Sequence, residues 1–454
     1  MIYLITIIAA LTGFLFGFDE GIMSGVITLV EQEFALTIHQ TGVVMGLLPL
    51  GALFGSCITG RLANEIGRLR VLYLIPIIFS VATLLIMECK SYNTLCIARI
   101  LLGLSIGLSV VISPVYIAET APKQLRGKLI TFFQLAITLG ILLSYALNLL
   151  NVFHFHPISW RGLFAFGLIP STGLFFGSLF LPESPRWLCT HGQRELAKQA
   201  LMRVYGKSRT TSSIEQELDD IEHTLVHEKK KNVWKELFSR QVRPSLLLGI
   251  ILFLFQQLSG INVIIYFTPI IFTKLQLGST LVTLIATVGV GTVNFLTTFL
   301  AMRWIEKMGR RPLFLLGFIG ATLTLLCVAI LAYLDIPSLR WLSAIAIFGY
   351  IASFAVSLGP LPWVMMPEIF PLRFRGQGAS FATASNWIFN TLVVVSFPTL
   401  LHLFGIGTTF LLYAFFCFLG FLFTWRYVPE TKNLSLETIE EHIYSKKPLR
   451  KLGR

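Results

Sequence analysis

Apolar residues fill long runs along this chain, and polar residues punctuate them. A bilayer core needs roughly 20 apolar residues per helix. Reading for such runs predicts twelve spanning helices, at about 4–30, 41–62, 71–89, 94–118, 128–150, 160–181, 245–273, 280–303, 312–334, 340–364, 376–400 and 406–427. The first run begins almost at Met1 and has no basic leader or small-residue cleavage site. It reads as a retained helix, not a signal peptide. One long polar stretch, 182–244, interrupts the series. It contains helix-like segments at Arg194–Gly206 and Ile214–Glu228, then Lys229-Lys230-Lys231. The expected organisation is a six-helix half over 1–181, a cytoplasmic helical linker over 182–244, a second six-helix half over 245–428 and a cytoplasmic tail over 429–454.

Composition agrees with an all-α membrane protein. Of 454 residues, 55% are hydrophobic and 13% charged, whereas a soluble globular protein is about 25% charged. A chain this apolar cannot cover itself with a polar surface, which excludes a soluble multidomain enzyme. The 36 glycines suit spanning helices, where glycine lets backbones approach closely. The six cysteines, at 57, 89, 96, 189, 327 and 417, show no CxxC or metal spacing. Most lie in apolar runs and read as buried thiols. There is no Walker A loop, HExxH or GxSxG segment, so neither an ATP-driven pump nor a hydrolase is expected, and no cofactor or metal.

The net charge of +13 is explained by topology. With both termini cytoplasmic, only Lys90, Arg99, Arg161, Lys274 and Arg340 of the 36 basic residues fall in outer loops or in spans away from their cytoplasmic ends. The rest lie inside, as the positive-inside rule requires. Nucleic acid is therefore not an expected partner.

Punctuation repeats between the halves. Gly67-Arg68 is matched by Gly309-Arg310-Arg311, Glu119…Arg126-Gly127 by Glu368…Arg375-Gly376, and Pro182-Glu183-Ser184 by Pro429-Glu430-Thr431. The offsets are 242, 249 and 247 residues. Three signals at nearly one offset indicate duplication. Loop charges of this kind can simply hold loops inside. They can also pair across neighbouring helices and latch one conformation, a task that suits the several donors of arginine. Because the pattern occurs twice, a gating role is expected for Arg68, Glu119, Arg126, Glu306, Arg310, Glu368 and Arg375.

Several motifs together resemble the sugar porter family of the major facilitator superfamily. They are Phe16-Gly17-Phe18-Asp19, Ala98-Arg99, Pro114-Val115-Tyr116-Ile117-Ala118-Glu119, Pro182-Glu183-Ser184-Pro185-Arg186-Trp187-Leu188, Gln256-Gln257-Leu258-Ser259-Gly260-Ile261-Asn262, Gly359-Pro360-Leu361-Pro362-Trp363 and Pro429-Glu430-Thr431-Lys432. The resemblance covers nearly the whole chain and is to bacterial sugar–proton symporters of the xylose, glucose and galactose type. It implies a major facilitator fold of two six-helix halves with pseudo-two-fold symmetry, working by alternating access. The chain departs from the broad pattern at Asn64 and Glu65, where an acidic then a basic residue is frequent, and at Asn433, where glycine is frequent.

Asp19 is one of four aspartates and lies within a spanning run, as does Arg99. An intramembrane charge is costly unless paired or hydrated. The two can form a permanent structural ion pair, or a conformation-dependent one in which Asp19 binds a proton when Arg99 withdraws. The aspartate in this motif position resembles that of proton-coupled bacterial porters, whereas passive animal members have a neutral amide there. The resemblance thus favours Asp19 and Arg99 as the proton-coupling pair. Glu20 points about 100° away on a helix and is not expected to couple.

A neutral sugar suits amides, which both donate and accept, and aromatic rings against its C–H face. Amides in spans can equally hydrogen-bond between helices. The resemblance implies sugar contacts for Gln134, Gln256, Gln257, Asn262 and Trp363, and also for Asn294, Asn386, Tyr266, Phe16 and Trp387. Gln257 lies about 140° from Asn262 on a straight helix, so a break at Ser259-Gly260 is needed for both to face one cavity. Pro269 weakens the same helix further on, and Gly359-Pro360 and Pro362 loosen span ten. Trp160 reads as an interfacial anchor.

The expected function is monosaccharide–proton symport, importing a hexose or a pentose. A facilitative uniporter is the nearest alternative. A sugar sensor on the same fold is disfavoured by the short basic tail. The expected partners are a monosaccharide, a proton and membrane lipid, for a functional monomer in a bacterial inner membrane.

Overall fold

A computed structural model of the chain describes residues 1–121, 126–153, 157–206, 211–227, 237–239, 242–371, 375–432, 434, 436–445 and 449–452. Helices account for nearly all of the described backbone, and no strand occurs among the described residues. Ten helical stretches there are long and apolar enough to cross a membrane. The first five spans are α1 Ile2–Phe34, α2 Ile38–Ile66, α3 Arg68–Met87, α4 Tyr92–Thr120 and α5 Arg126–Phe153. The sixth is made of two short pieces, α6 Trp160–Ala165 and α7 Leu168–Ser178. Tight i→i−3 bonds, such as Gly167 N to Phe164 O at 2.9 Å, join them.

The polar stretch then folds as α8 Pro185–Thr190, α9 Arg194–Tyr205 and α10 Thr211–His227. Arg194 pairs with Asp219 at 2.6 Å and with Glu222, and Lys198 pairs with Glu215 at 2.6 Å. These pairs are largely exposed, so solvent screens them and they contribute little. The buried stripe of Ala197, Ala200, Leu201 and Val204 on α9 does more to fix the segment.

Span seven is α11 Arg243–Leu258 and α12 Ile261–Lys274. Spans eight and nine are α13 Thr280–Met308 and α14 Arg310–Leu334. Span ten is α15 Arg340–Ser353, a π-helical turn over Phe354–Leu358 and α16 Leu361–Ile369. The last two spans form one stretch, α17 Arg375–Tyr427, interrupted at Gly405 with φ 73°. Dividing α17 there and counting α6 with α7 gives twelve spans. Helix α18 Leu436–Tyr444 follows.

The chain packs into two compact units. One takes Met1–Asp19, Leu50–Gly140 and Ser159–Lys231; the other takes Glu20–Pro49, Ile141–Ile158 and Asn232–Arg454. In the first, α3 lies along α4 and α7. There α2 and α4 approach so closely that a Cβ at Gly51 would sit 2.3 Å from Ile100 O, and one at Gly107 2.3 Å from Ala52 O. In the second, α14 and α11 pack along α17. The units differ from the six-helix repeat because they report packing. The end of α1, the start of α2 and the end of α5 bury themselves with the later helices.

Large apolar side chains such as Ile169, Phe180, Leu323 and Leu403 remain exposed, as a lipid-facing surface requires. Two sequence expectations need correction. Cys57 and Cys327 are exposed, while Cys89 and Cys417 are buried; an apolar run on a spanning helix has a lipid face, so residence in it does not imply burial. Trp160 is no interfacial anchor. It is only 5% exposed, packed edge-on against Phe164 with the Arg161 guanidinium 4.3 Å from its ring centroid.

The break in span seven depends on Gly260, whose φ is 85° and whose Cβ position lies 2.9 Å from the Tyr413 ring. Gly260→Ala is expected to destabilise the fold by about 1–3 kcal/mol. Thermal unfolding in detergent measures this; a midpoint unchanged from the parent would show that the break tolerates a side chain.

Candidate functional site

Asp19 and Arg99 face each other in the first unit. Arg99 Nη1 donates to Asp19 Oδ2 at 2.7 Å, and the side chains are 0% and 1% exposed. Asp19 Oδ1 has no hydrogen-bond partner among the described residues. One oxygen is thus held by charge and the other is an open proton acceptor. Arg99 is anchored by α4, whose residues Ala98, Leu102 and Ile106 are buried around it. Glu20, the next residue, is buried within the second unit. Its carboxyl, with Ser24 and Thr268, lies near the Tyr145 hydroxyl.

The second unit holds a relay of amides. Leu258 ends α11, Gly260 adopts a left-handed conformation and Ile261 starts α12. The break turns both amides inward. Asn262 Nδ2 donates to Gln257 Oε1 at 2.7 Å, and Gln257 Nε2 donates to Asn386 Oδ1 at 2.7 Å. Gln256 Nε2 donates to Leu358 O at 2.8 Å and Gly359 O at 3.0 Å. Leu358 O is four residues before Pro362, which has no N–H to offer it. Gln256 therefore spends its amide hydrogens on a backbone opened by proline. Its Oε1 has no partner among the described residues, and neither has Asn390 Oδ1, one turn beyond Asn386. These are two buried acceptors, while the relay fixes the polarity of the amides between them.

Trp363 is half-buried, its ring 4.8 Å from Phe253 in an edge-on contact. Tyr266 is fully buried and Trp387 nearly so. Asn294 is buried on α13. Gln134 and Phe16 are half-buried in the first unit. Sequence reasoning missed Asn390. Its spacing of four from Asn386 on an apolar helix is the signal that could have found it.

The repeated loop charges build one network in each unit. Arg68 grips Glu119 with two nitrogens, Nε to Oε2 at 2.9 Å and Nη2 to Oε1 at 3.0 Å, and Ser184 Oγ donates to the same carboxylate. Glu183 caps the start of α3, accepting from Arg68 N and Leu69 N, each at 3.1 Å. The second unit repeats this. Arg310 donates to Glu368 at 2.8 Å and 3.3 Å, Thr431 Oγ1 donates to Glu368 at 2.6 Å, and Glu430 accepts from Arg310 N and Arg311 N, each at 3.0 Å. Glu306 joins at 3.5 Å. A carboxylate at a helix N-terminus is favoured by the helix dipole and its open amides. Burial pushes the Glu183 carboxyl above its ordinary range, opposed by the amides of Ser184, Leu69 and Arg68. Gly67 and Gly309, with φ of 101° and 93°, let these carboxylates close in: a Cβ would lie 2.4 Å from Glu183 Oε2 and 2.7 Å from Glu430 Oε2. Asn64 Oδ1 takes a bond from Arg68 Nη1 at 3.2 Å, and Glu65 pairs with exposed Arg61. The side chains of Arg126 and Arg375, and residue Asn433, lie outside the described residues.

Comparison with known proteins agrees with this arrangement. The family model for "Sugar (and other) transporter" matches residues 5–443. A D-xylose transporter of Levilactobacillus brevis is 37% identical over 439 residues, covering 96% of this chain and 94% of that protein. A galactose-proton symporter of Escherichia coli K12 is 34% identical, covering 100% of this chain and 97% of that protein. Among solved structures, a partially occluded inward open conformation of the xylose transporter XylE from E. coli matches with TM-score 0.84 and 29% identity, covering 96% of this chain and 99% of that one. The chain belongs to the sugar porter family of major facilitator transporters. It is a multi-pass membrane protein of twelve helices and a sugar transporter, not an enzyme.

The burial of the Asp19–Arg99 pair has a direct consequence. Removing one partner leaves an uncompensated buried charge, at a cost of about 3–5 kcal/mol. Arg99→Met is expected to lower stability by that amount, and adding Asp19→Asn to recover most of it. Chemical unfolding of the two single variants and the double variant in detergent checks this. Additive losses would mean that the pair is not coupled.

Proposed function

We propose that this protein is a monosaccharide–proton symporter, importing a hexose or pentose by alternating access. The observation that carries the coupling is the sealed Asp19–Arg99 pair with one carboxylate oxygen unbonded. When Arg99 is engaged, Asp19 is held as the anion. When Arg99 withdraws, a carboxyl in hydrocarbon takes up a proton, because burial disfavours its charge. A proton crossing about 100 mV gains roughly 2.3 kcal/mol, enough for a sugar concentration ratio of about 50. The names of the galactose-proton symporter and the proton:xylose symporter among the similar proteins support this reading.

Sugar hydroxyls are proposed to donate to Gln256 Oε1 and Asn390 Oδ1, and to exchange bonds with the Asn262–Gln257–Asn386 relay. Trp363 supplies the aromatic face. Gln134, Phe16, Asn294, Tyr266 and Trp387 keep the roles that family resemblance implies. The two loop networks are the gating elements, with Arg126 and Arg375 at matching places in the repeat. With both termini cytoplasmic, the ends of α1, α2 and α5 that pack within the second unit lie on the external side. The localisation proposed is a bacterial inner membrane, where the protein acts as a monomer.

Gln257→Ala removes the middle of the relay and is expected to weaken sugar binding roughly fivefold to tenfold without unfolding the protein. Calorimetric titration of purified protein with a panel of hexoses and pentoses reads it. Unchanged affinity for every sugar that the parent binds would take Gln257 out of the site.

Asp19→Asn keeps size and some hydrogen bonding but cannot titrate. Uphill uptake in proteoliposomes with an inward proton gradient is expected to vanish, while counterflow without a gradient persists. Sugar binding should also lose pH dependence, because linkage between proton and sugar is reciprocal. A variant that still concentrates sugar would exclude Asp19 as the coupling group. A parent indifferent to the gradient would make the protein a uniporter.

A further inference from the structure

Span seven is opened a second time, outside the amide relay. Pro269 lies inside α12, and Phe267, two residues earlier, leaves helical geometry with φ −116° and ψ 16°. The carbonyl four residues before the proline is Ile265 O. Residue 269 has no N–H with which to bond it, and an unsatisfied carbonyl at this depth is costly. The bond comes from another helix: Tyr145 Oη on α5 donates to Ile265 O at 2.6 Å. Tyr145 is 1% exposed.

The surroundings make this contact a junction. A Cβ at Gly291 of α13 would lie 3.0 Å from the Tyr145 ring, so α13 is pressed against the same side chain. On the neighbouring turn of α5, Asn148 Nδ2 donates to Gly21 O of α1 at 3.0 Å. Gly21 and Gly25 leave room for Ser144 and Asn148 respectively. Helices α1, α12 and α13 therefore meet α5 within one turn of Tyr145. The residues in contact here all belong to the second unit.

We infer that the Tyr145 hydroxyl is the latch of the closed external face, standing in for the amide that Pro269 lacks and so holding the outer part of α12 against α5. The inference rests on the proposed alternation of that face. While α5 and α12 are docked, the carbonyl freed by the proline is bonded. When they part, Ile265 O loses its donor and must find water or another side chain. Proline makes closure favourable because the opened helix cannot repair itself from within. Tyr145 is thus a positioning residue: it sets the inclination of α12, the helix that carries Asn262 and Tyr266.

The test uses a spin-label pair at Val152→Cys and Lys274→Cys, near the outer ends of α5 and α12, in the full-length protein in nanodiscs, with native cysteines replaced. Distance distributions are recorded with and without xylose or glucose. The parent should show a short and a long population. Tyr145→Phe keeps the ring and loses only the hydroxyl, and is expected to shift the ratio roughly fivefold toward the long distance. Pro269→Ala restores an N–H for Ile265 O, so in that background Tyr145→Phe should have little effect. A ratio unmoved by Tyr145→Phe, in a parent that does switch, overturns the latch alone. Equal effects of Tyr145→Phe with and without Pro269 show that the hydroxyl acts through a partner other than Ile265 O, such as Thr268 or Ser24, and overturn it too. A parent with one fixed distance throughout overturns both the latch and the alternation on which it rests.

Discussion

Hydrocarbon contains no water to bond a backbone, so each carbonyl that a helix fails to satisfy must find a partner in the protein. This constraint organises the functional part of the molecule. Span seven is broken at Gly260 and kinked before Pro269, and span ten is loosened by a π-turn and two prolines. At Pro362 and at Pro269 a side chain from a different helix supplies the missing donor: Gln256 to Leu358 O and Tyr145 to Ile265 O. The breaks make the helices deformable. The borrowed donors decide which deformed shape is stable.

Charge is handled by the same economy. Inside the first unit a single pair, Asp19 and Arg99, is sealed from solvent. At the helix ends the charges are shared more widely, with one arginine side chain, a hydroxyl and two glutamates in the first network or three in the second. Removing a partner from a network leaves other donors nearby. Removing Arg99 takes from Asp19 its one hydrogen-bond donor among the described residues. The first arrangement suits contacts that form and part repeatedly, and the second suits a group whose protonation must follow geometry.

Much of this was legible in the sequence because it follows from covalent chemistry. Run length predicts the spans, proline and glycine predict the breaks, and the doubled Gly-Arg, Glu and Pro-Glu signals place the two networks. What was not legible depends on which side chain reaches which backbone atom. Gln256 reads as a free amide, yet its nitrogen is committed to span ten. Asn390 and Tyr145 read as ordinary residues of apolar helices, and only three-dimensional packing gives them carbonyls or open acceptors. Trp160 and the exposed Cys57 and Cys327 failed for a related reason: an apolar run states that a helix crosses lipid, not which of its faces meets lipid.

The commitment of Gln256 has one more consequence. With both amide hydrogens turned toward span ten, it offers an incoming molecule only the lone pairs of its oxygen. Whatever settles there must arrive carrying hydrogen on an electronegative atom. A hydroxyl satisfies that demand, whereas an ether oxygen or a fluorine of similar size brings lone pairs against lone pairs. Discrimination at this point is therefore by the direction of a dipole, and a ligand of the right shape with the wrong polarity is turned away.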